Sequence, residues 1–414
     1  MSLDSNMIEN RKSSKTLRFL TYLLIICIAF ENLKVATVLG AALKPSHFIF
    51  IFIIIYCVFT AKFPRKDIFA GVFFLFLPFV PMYRISDKIE FFKTYVIYFI
   101  MVMFMTYAMR TFIAEFILNY KNYLKLFLFV AVVIEILGIV QFICMNFFGI
   151  FFLKDFFGVL QFHRSQFGMQ GDYFRAYSLF YEPSFFAIVI LASLTVKLFL
   201  VSNKVLKKSH RFILIGLDLI ALVCSLSSAG LFICIALFFV YSLTLSKNAA
   251  KVCFSFLFFI VAALAIWEYT DLFEPLKRID EINNPGTSGY ERLVTPFLYV
   301  KETFANFPFF GRGLGQEGDV DIIGTIGRYS GIHNSLIGII SNFGLSVLCF
   351  YIPFIVYSIR KVKQNKIWFL ILIAILGMYV STGAIFTPDT FIIFVLLISF
   401  GNENILNEIT KGEA

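Results

Sequence analysis

The residues best suited to chemistry fall in three stretches. The first, Gly311 to Gly344, reads GRGLGQEGDVDIIGTIGRYSGIHNSLIGIISNFG and passes without a break from a glycine-rich polar loop into an apolar segment. His333 and Asn334 stand at that junction. Imidazole is the side chain whose ordinary pKa lies near neutrality, so His333 either exchanges a proton at this boundary or simply caps a helix or sits among lipid headgroups. Gly311, Gly313 and Gly315 tolerate positive φ and let backbone approach a ligand closely, but no strand–turn–helix context here makes GxGxG a dinucleotide site.

The second stretch is residues 175–184, RAYSLFYEPS, at the start of another apolar segment. A carboxylate this close to a membrane helix is costly unless it is paired or beside water. Glu182 therefore either pairs with Arg175 to fix the helix end, or shares a catalytic or substrate-binding site with Arg175 and Tyr177. The third set is Arg292, Lys301, Arg312 and Arg328, all in one loop. Arginine presents a planar fork that binds phosphate bidentately and stays charged in a low-dielectric site. The alternative is a set of solvated or headgroup-anchoring charges. Other candidates rank lower. Asp319-Val-Asp321 has the short DxD form that arises readily by chance. Glu135 and Asp218 lie inside apolar segments, where Asp218 can pair with Lys197 or Arg211. His47, His163 and His210 stand alone near segment boundaries.

The elements that must position these residues follow from composition. Hydrophobic residues make up 59%, charged residues 15%, and phenylalanine 56 of 414; mean hydropathy is +0.85. Such a chain is an all-α polytopic integral membrane protein. Its apolar runs are continuous, which excludes the alternating pattern of a β-barrel. The net charge of +10 does not mark a nucleic-acid binder, because the lysines and arginines gather in short loops between apolar runs. All seven cysteines lie in apolar stretches without a CxxC, so they are expected to pack, with neither a disulfide frame nor a metal site. No signal-peptide cleavage pattern follows the first apolar run.

The apolar segments are about 18–33, 46–61, 67–82, 94–110, 124–149, 178–201, 212–227, 229–246, 252–268, 333–359, 366–382 and 387–401, giving about 12 transmembrane helices. With residues 1–17 as a cytoplasmic tail, 21 basic residues fall on the cytoplasmic side and 14 outside, nine of the latter in two long loops that count little in the positive-inside rule. Residues 18–401 then form one transmembrane domain, 402–414 a second cytoplasmic tail, and loops of about 150–177 and 269–332 face outward. Loops this long are more often functional than idle. In the second, Leu293, Phe297, Val300 and Phe304 recur at helical spacing, with Ser288 and Glu291 as a capping box. An amphipathic helix on the membrane surface is expected, its start limited by Pro296. No internal repeat of the transporter kind is present.

This order of features resembles the bacterial O-antigen polymerase and O-antigen ligase superfamily. The resemblance rests on two large external loops, Arg175 to Glu182-Pro183-Ser184 entering a mid-chain span, GxGxG, and His333-Asn334 followed nine residues later by Gly344. It covers nearly the whole chain in layout. Val347 stands where relatives often carry Gly, Thr or Tyr, and Ser227-Ser228-Ala229-Gly230 lacks the arginine of a Ser-Arg pair that binds phosphate in many of them. The resemblance implies a metal-independent GT-C-type glycosyltransferase without cofactor, in the bacterial inner membrane with both termini cytoplasmic. Donor and acceptor would be undecaprenyl-pyrophosphate-linked oligosaccharides, and a chain-length regulator would be a candidate partner. It also implies roles: His333 as base on the acceptor hydroxyl, oriented by Asn334 or Glu182, and Arg175 and Arg292 with Arg312 on the donor pyrophosphate. Within that superfamily a repeat-unit polymerase is favoured over a ligase that passes polymer to lipid A–core. A non-enzymatic flippase of the same lipid-linked sugars is the reading from a different class.

Overall fold

The computed structural model describes residues 14–31, 33–60, 65–82, 88–151, 169–170, 173–180, 182–203, 208–244, 294–315, 334–381 and 388–402, with positions 205, 250, 283–284, 290 and 405. These residues are mostly helical. Apolar runs in lipid must satisfy their backbone groups internally, and the helix does so within one segment.

Helix α1 (Lys15–Ile26) runs into a 3-10 turn, Cys27–Phe30, and a short hairpin, β1 (Ala36–Val38) with β2 (Ala41–Leu43). Helices α2 (Pro45–Thr60) and α3 (Arg65–Phe76) follow. The next span, Lys88–Leu118, is one helix of 31 residues interrupted by a π turn. It consists of α4 (Lys88–Met103), the turn Phe104–Ala108 and α5 (Met109–Leu118). The turn sets the Phe104 ring 4.5 Å from Phe50 and 5.8 Å from Phe391, joining three elements.

Helix α6 (Tyr120–Phe148) ends at Gly149, in the left-handed region with φ 67°. After the small pairing of β3 (Met169–Gln170) with β4 (Tyr173–Phe174) comes α7 (Pro183–Ser202). Then follow α8 (Lys208–Ser225), α9 (Ser228–Thr244), α10 (Thr295–Asn306), α11 (Ser335–Phe343), α12 (Leu348–Gln364), α13 (Ile367–Ser381) and α14 (Pro388–Phe400). Lys88–Leu118, Tyr120–Phe148 and Pro183–Ser202 are long and apolar enough to cross a membrane singly. The expected segment 252–268 lies outside the described residues.

Seventeen of the twenty residues of α7 are buried, which makes it the central helix. It packs against α6, α8, α9, α13 and α14. Small residues let the backbones close: a Cβ on Gly138 would lie 2.2 Å from the Phe186 ring, and one on Gly230 2.8 Å from Ala187. Rings such as Phe59, Phe69, Phe129 and Phe212 instead point outward, as side chains facing lipid do.

One expected segment is not straight. Within 333–359, Ser335–Val347 and Tyr351–Gln364 meet at 106°. The break follows Gly344, whose φ of 55° and ψ of −140° suit no residue with a Cβ. The pair is either a broken span or a re-entrant loop.

Candidate active site

The segment of Arg175 and Glu182 is held by two helices, α6 and α8. Near the end of α6, Asn146 reads the Phe174 backbone both ways: Oδ1 accepts from its N–H at 2.6 Å and Nδ2 donates to its carbonyl at 2.9 Å. One turn and a half earlier, buried Gln141 accepts from the N–H groups of Tyr177 and Ser178 at 2.9 and 2.7 Å. Those two bonds turn the chain sharply, and Ser178 takes a φ of 51° that costs a non-glycine residue strain. Its hydroxyl donates to the Ile134 carbonyl at 2.8 Å. On the opposite side, Ala176 N–H donates to the Cys224 carbonyl at 3.0 Å and Arg175 Nε to the Ser225 carbonyl at 3.4 Å. Arg175 is half-buried and Tyr177 is buried.

Glu182 is the N-cap of α7, with extended backbone and Pro183 at the first helical position, where a missing N–H has no consequence. Its Oε2 accepts from the Ser184 hydroxyl at 2.9 Å. The carboxylate thus sits at the positive end of the central helix.

A second cluster is built by the glycine loop and α11. Asn334 caps α11: its Oδ1 accepts from Ile337 N–H at 3.3 Å, and the residue is buried. Since α11 is nine residues long and Gly344 closes it, the nine-residue spacing from Asn334 to Gly344 is the length of this helix. The loop then docks along its last turn. Arg312 N–H donates to Ser341 O at 3.0 Å and Gly313 N–H to Asn342 O at 3.1 Å, while Leu345 N–H returns to Pro308 O at 2.8 Å. A Cβ on Gly311 would meet the Asn342 backbone at 2.5 Å, and one on Gly315 the Glu90 carbonyl at 2.7 Å. These glycines serve contact between backbones within the protein.

The Arg312 guanidinium pairs with Glu302 and lies 5.4 Å above the Phe307 ring. Lys301 is exposed on α10. The inward face of that helix is Thr295, Tyr299 and Thr303, with Thr303 Oγ1 3.2 Å from Ser341 Oγ. Phe297 and Phe304 face away from the bundle, as a surface helix with an apolar outer stripe would have them. Pro296 stands in its first turn.

The structure therefore gathers Arg175, Tyr177 and Glu182 in one segment, and Arg312, Lys301 and Asn334 around α10 and α11. Helix α13 packs against both α7 and α11. His333, Arg292, Arg328, Asp319, Asp321, Ser288, Glu291 and Leu293 lie outside the described residues. Gln141 and Asn146 were not singled out from sequence, although two amides in the apolar segment 124–149 are themselves a signal, since each needs a buried partner.

A family model described as WcaD colanic acid polymerase matches residues 17–400. The chain belongs to that family. Compared with curated proteins one at a time, it matches none. Membership in the WcaD colanic acid polymerase family gives the chain a repeat-unit polymerase role, with chemistry of the glycosyltransferase type. It works in a membrane on lipid-linked oligosaccharide.

Proposed function

We propose that the chain joins oligosaccharide repeats carried on undecaprenyl pyrophosphate into a surface polysaccharide, at the outer face of the bacterial inner membrane and without a metal ion. The fold in this reading is a GT-C-type bundle of about 12 spans, residues 18–401, with cytoplasmic tails 1–17 and 402–414. The acceptor hydroxyl oxygen bonds to the anomeric carbon of the donor glycan, and the bond from that carbon to the pyrophosphate oxygen breaks. His333 takes the hydroxyl proton, and the lipid pyrophosphate leaves with the electron pair. Charge develops on the leaving group, where Arg175 and Arg292 stabilise it, with Arg312 and Lys301 nearer the loop surface. Glu182 orients an arginine or the base; Asn334 sets the direction in which the chain leaves His333; Tyr177 shapes the sugar site.

The observation that carries this reading is the anchoring of residues 173–182 by Gln141, Asn146 and the Ser225 carbonyl. A strained polar segment held to two helices, α6 and α8, is what a preorganised charge-stabilising site requires. The flippase reading loses its main support, because Glu135 and Asp218 are both engaged by Lys197 and fully buried.

Purified protein in nanodiscs, given a lipid-linked repeat and no ion gradient, tests the proposal. Chain extension should occur, and H333A, R292A and R175A should abolish it. Normal extension in all three variants would sink the site assignment, and no extension by the wild type would sink the polymerase chemistry.

A further inference from the structure

We propose that Glu135, Lys197 and Asp218 form a proton-binding site inside the bundle, with one proton held between the two carboxyl groups. The Lys197 ammonium lies 2.8 Å from Asp218 Oδ1, 3.4 Å from Glu135 Oε2 and 3.4 Å from the Leu214 carbonyl. All three side chains have no exposed surface. Fully ionised, the group would hold two negative charges and one positive, and the surplus has no solvent to spread into.

A second observation points the same way. Asp218 Oδ2 is buried and receives no hydrogen bond from a described donor, while the Glu135 and Asp218 carboxyls crowd around one ammonium, at 3.4 and 2.8 Å from Lys197 Nζ. Two ionised carboxylates repel, but a carboxyl and a carboxylate share a proton readily. A single proton thus supplies the missing bond and brings the group to neutrality. Around it, α7 carries no other ionisable side chain, and from α9 the thiol of Cys234 faces Asp218. Arg211, seven residues before Asp218 on α8, is half-buried.

The site joins α6, α7 and α8, the helices that carry Gln141, Glu182 and Ser225 toward their far ends. The proton is therefore part of the frame beneath the Arg175 segment. This inference goes beyond the polymerase reading and does not depend on it.

Infrared difference spectroscopy of the full chain in nanodiscs at neutral pH tests it. Wild type minus E135Q and wild type minus D218N should each show the loss of one protonated-carboxyl stretch, and both variants should keep the wild-type thermal midpoint. K197M provides an independent reading, since without the ammonium both carboxyls take a proton and the band doubles. A wild-type band that survives both single substitutions overturns the proposal. So does an unchanged band in K197M, or a higher thermal midpoint in both single variants, which marks a site relieved of surplus negative charge.

Discussion

Replacing Gln141 by Met removes the acceptor of two buried N–H groups while keeping the side chain's length. Those groups, on Tyr177 and Ser178, donate to Gln141 Oε1 at 2.9 and 2.7 Å. Each buried donor left unpaired costs ~1–3 kcal/mol, so the segment in its present path loses about 2–6 kcal/mol. Ser178 adds to the pressure, because its φ of 51° is held at an expense of about 1–3 kcal/mol that a released chain would recover. The segment should therefore leave its path, moving Arg175 while the bundle around α7 stays folded. A shift of about 1 Å in a positioning group lowers turnover by about 100-fold. In the nanodisc assay, Q141M should extend chains at least about tenfold more slowly, with a thermal midpoint close to wild type. Q141E restores an acceptor at the same reach and should recover much of the rate. Hydrogen exchange at Tyr177 and Ser178 separates the two ways of being wrong. If Q141M leaves both amides protected, the structural argument fails; if they are released and chains still grow at the wild-type rate, Arg175 is not part of the chemistry.

Removing the cap with N334A should lower stability by about 1 kcal/mol, read as a modest drop in thermal midpoint, and N334D should restore it; if N334D restores stability and not extension, Asn334 also contacts substrate. G344A places a Cβ 2.6 Å from Gly311 N and Pro308 O at a φ of 55°, so the loop should detach from α11, with proteolysis after residue 307 as the readout and an intact loop as the refutation. G138L drives a side chain into the Phe186 ring, whose atoms already lie 2.2 Å from a Cβ there. Overpacking of ~1–3 kcal/mol should appear as a lower midpoint, and a companion F186A should relieve it.

The helical character of the chain was legible because the lipid solvent leaves few options. An apolar run such as 183–202 has no choice but to pair its own backbone groups, so position in sequence translates directly into helix. The same logic exposed Asp218, since a carboxylate in an apolar run needs a partner, and Lys197 is one of the two cations offered beforehand. That both acids converge on one lysine could not be read, because it depends on how α6 and α8 rotate against α7.

The candidate site was legible by residue type and much less by role. Arg175 and Glu182 stand out because charge beside an apolar run is expensive, whereas Gln141 is uncharged and its value lies entirely in a contact 36 residues away. The glycine loop reverses the relation between motif and chemistry. Read along the chain, GxGxG before His333-Asn334 invites a ligand; folded, Gly311 and Gly313 lie against the carbonyls of α11, and Asn334 and Gly344 mark the two ends of that helix. A fixed spacing of nine residues is thus a structural ruler. It sets a short helix with its N-terminus at the His333 side and its C-terminus clamped by the loop that carries Arg312. If His333 is the base, the function of this ruler is to hold the base at a constant distance from the clamp, and lengthening α11 by one residue should reduce chain extension more severely than a conservative substitution at its half-buried positions Leu336, Ile337, Ile339 or Ile340.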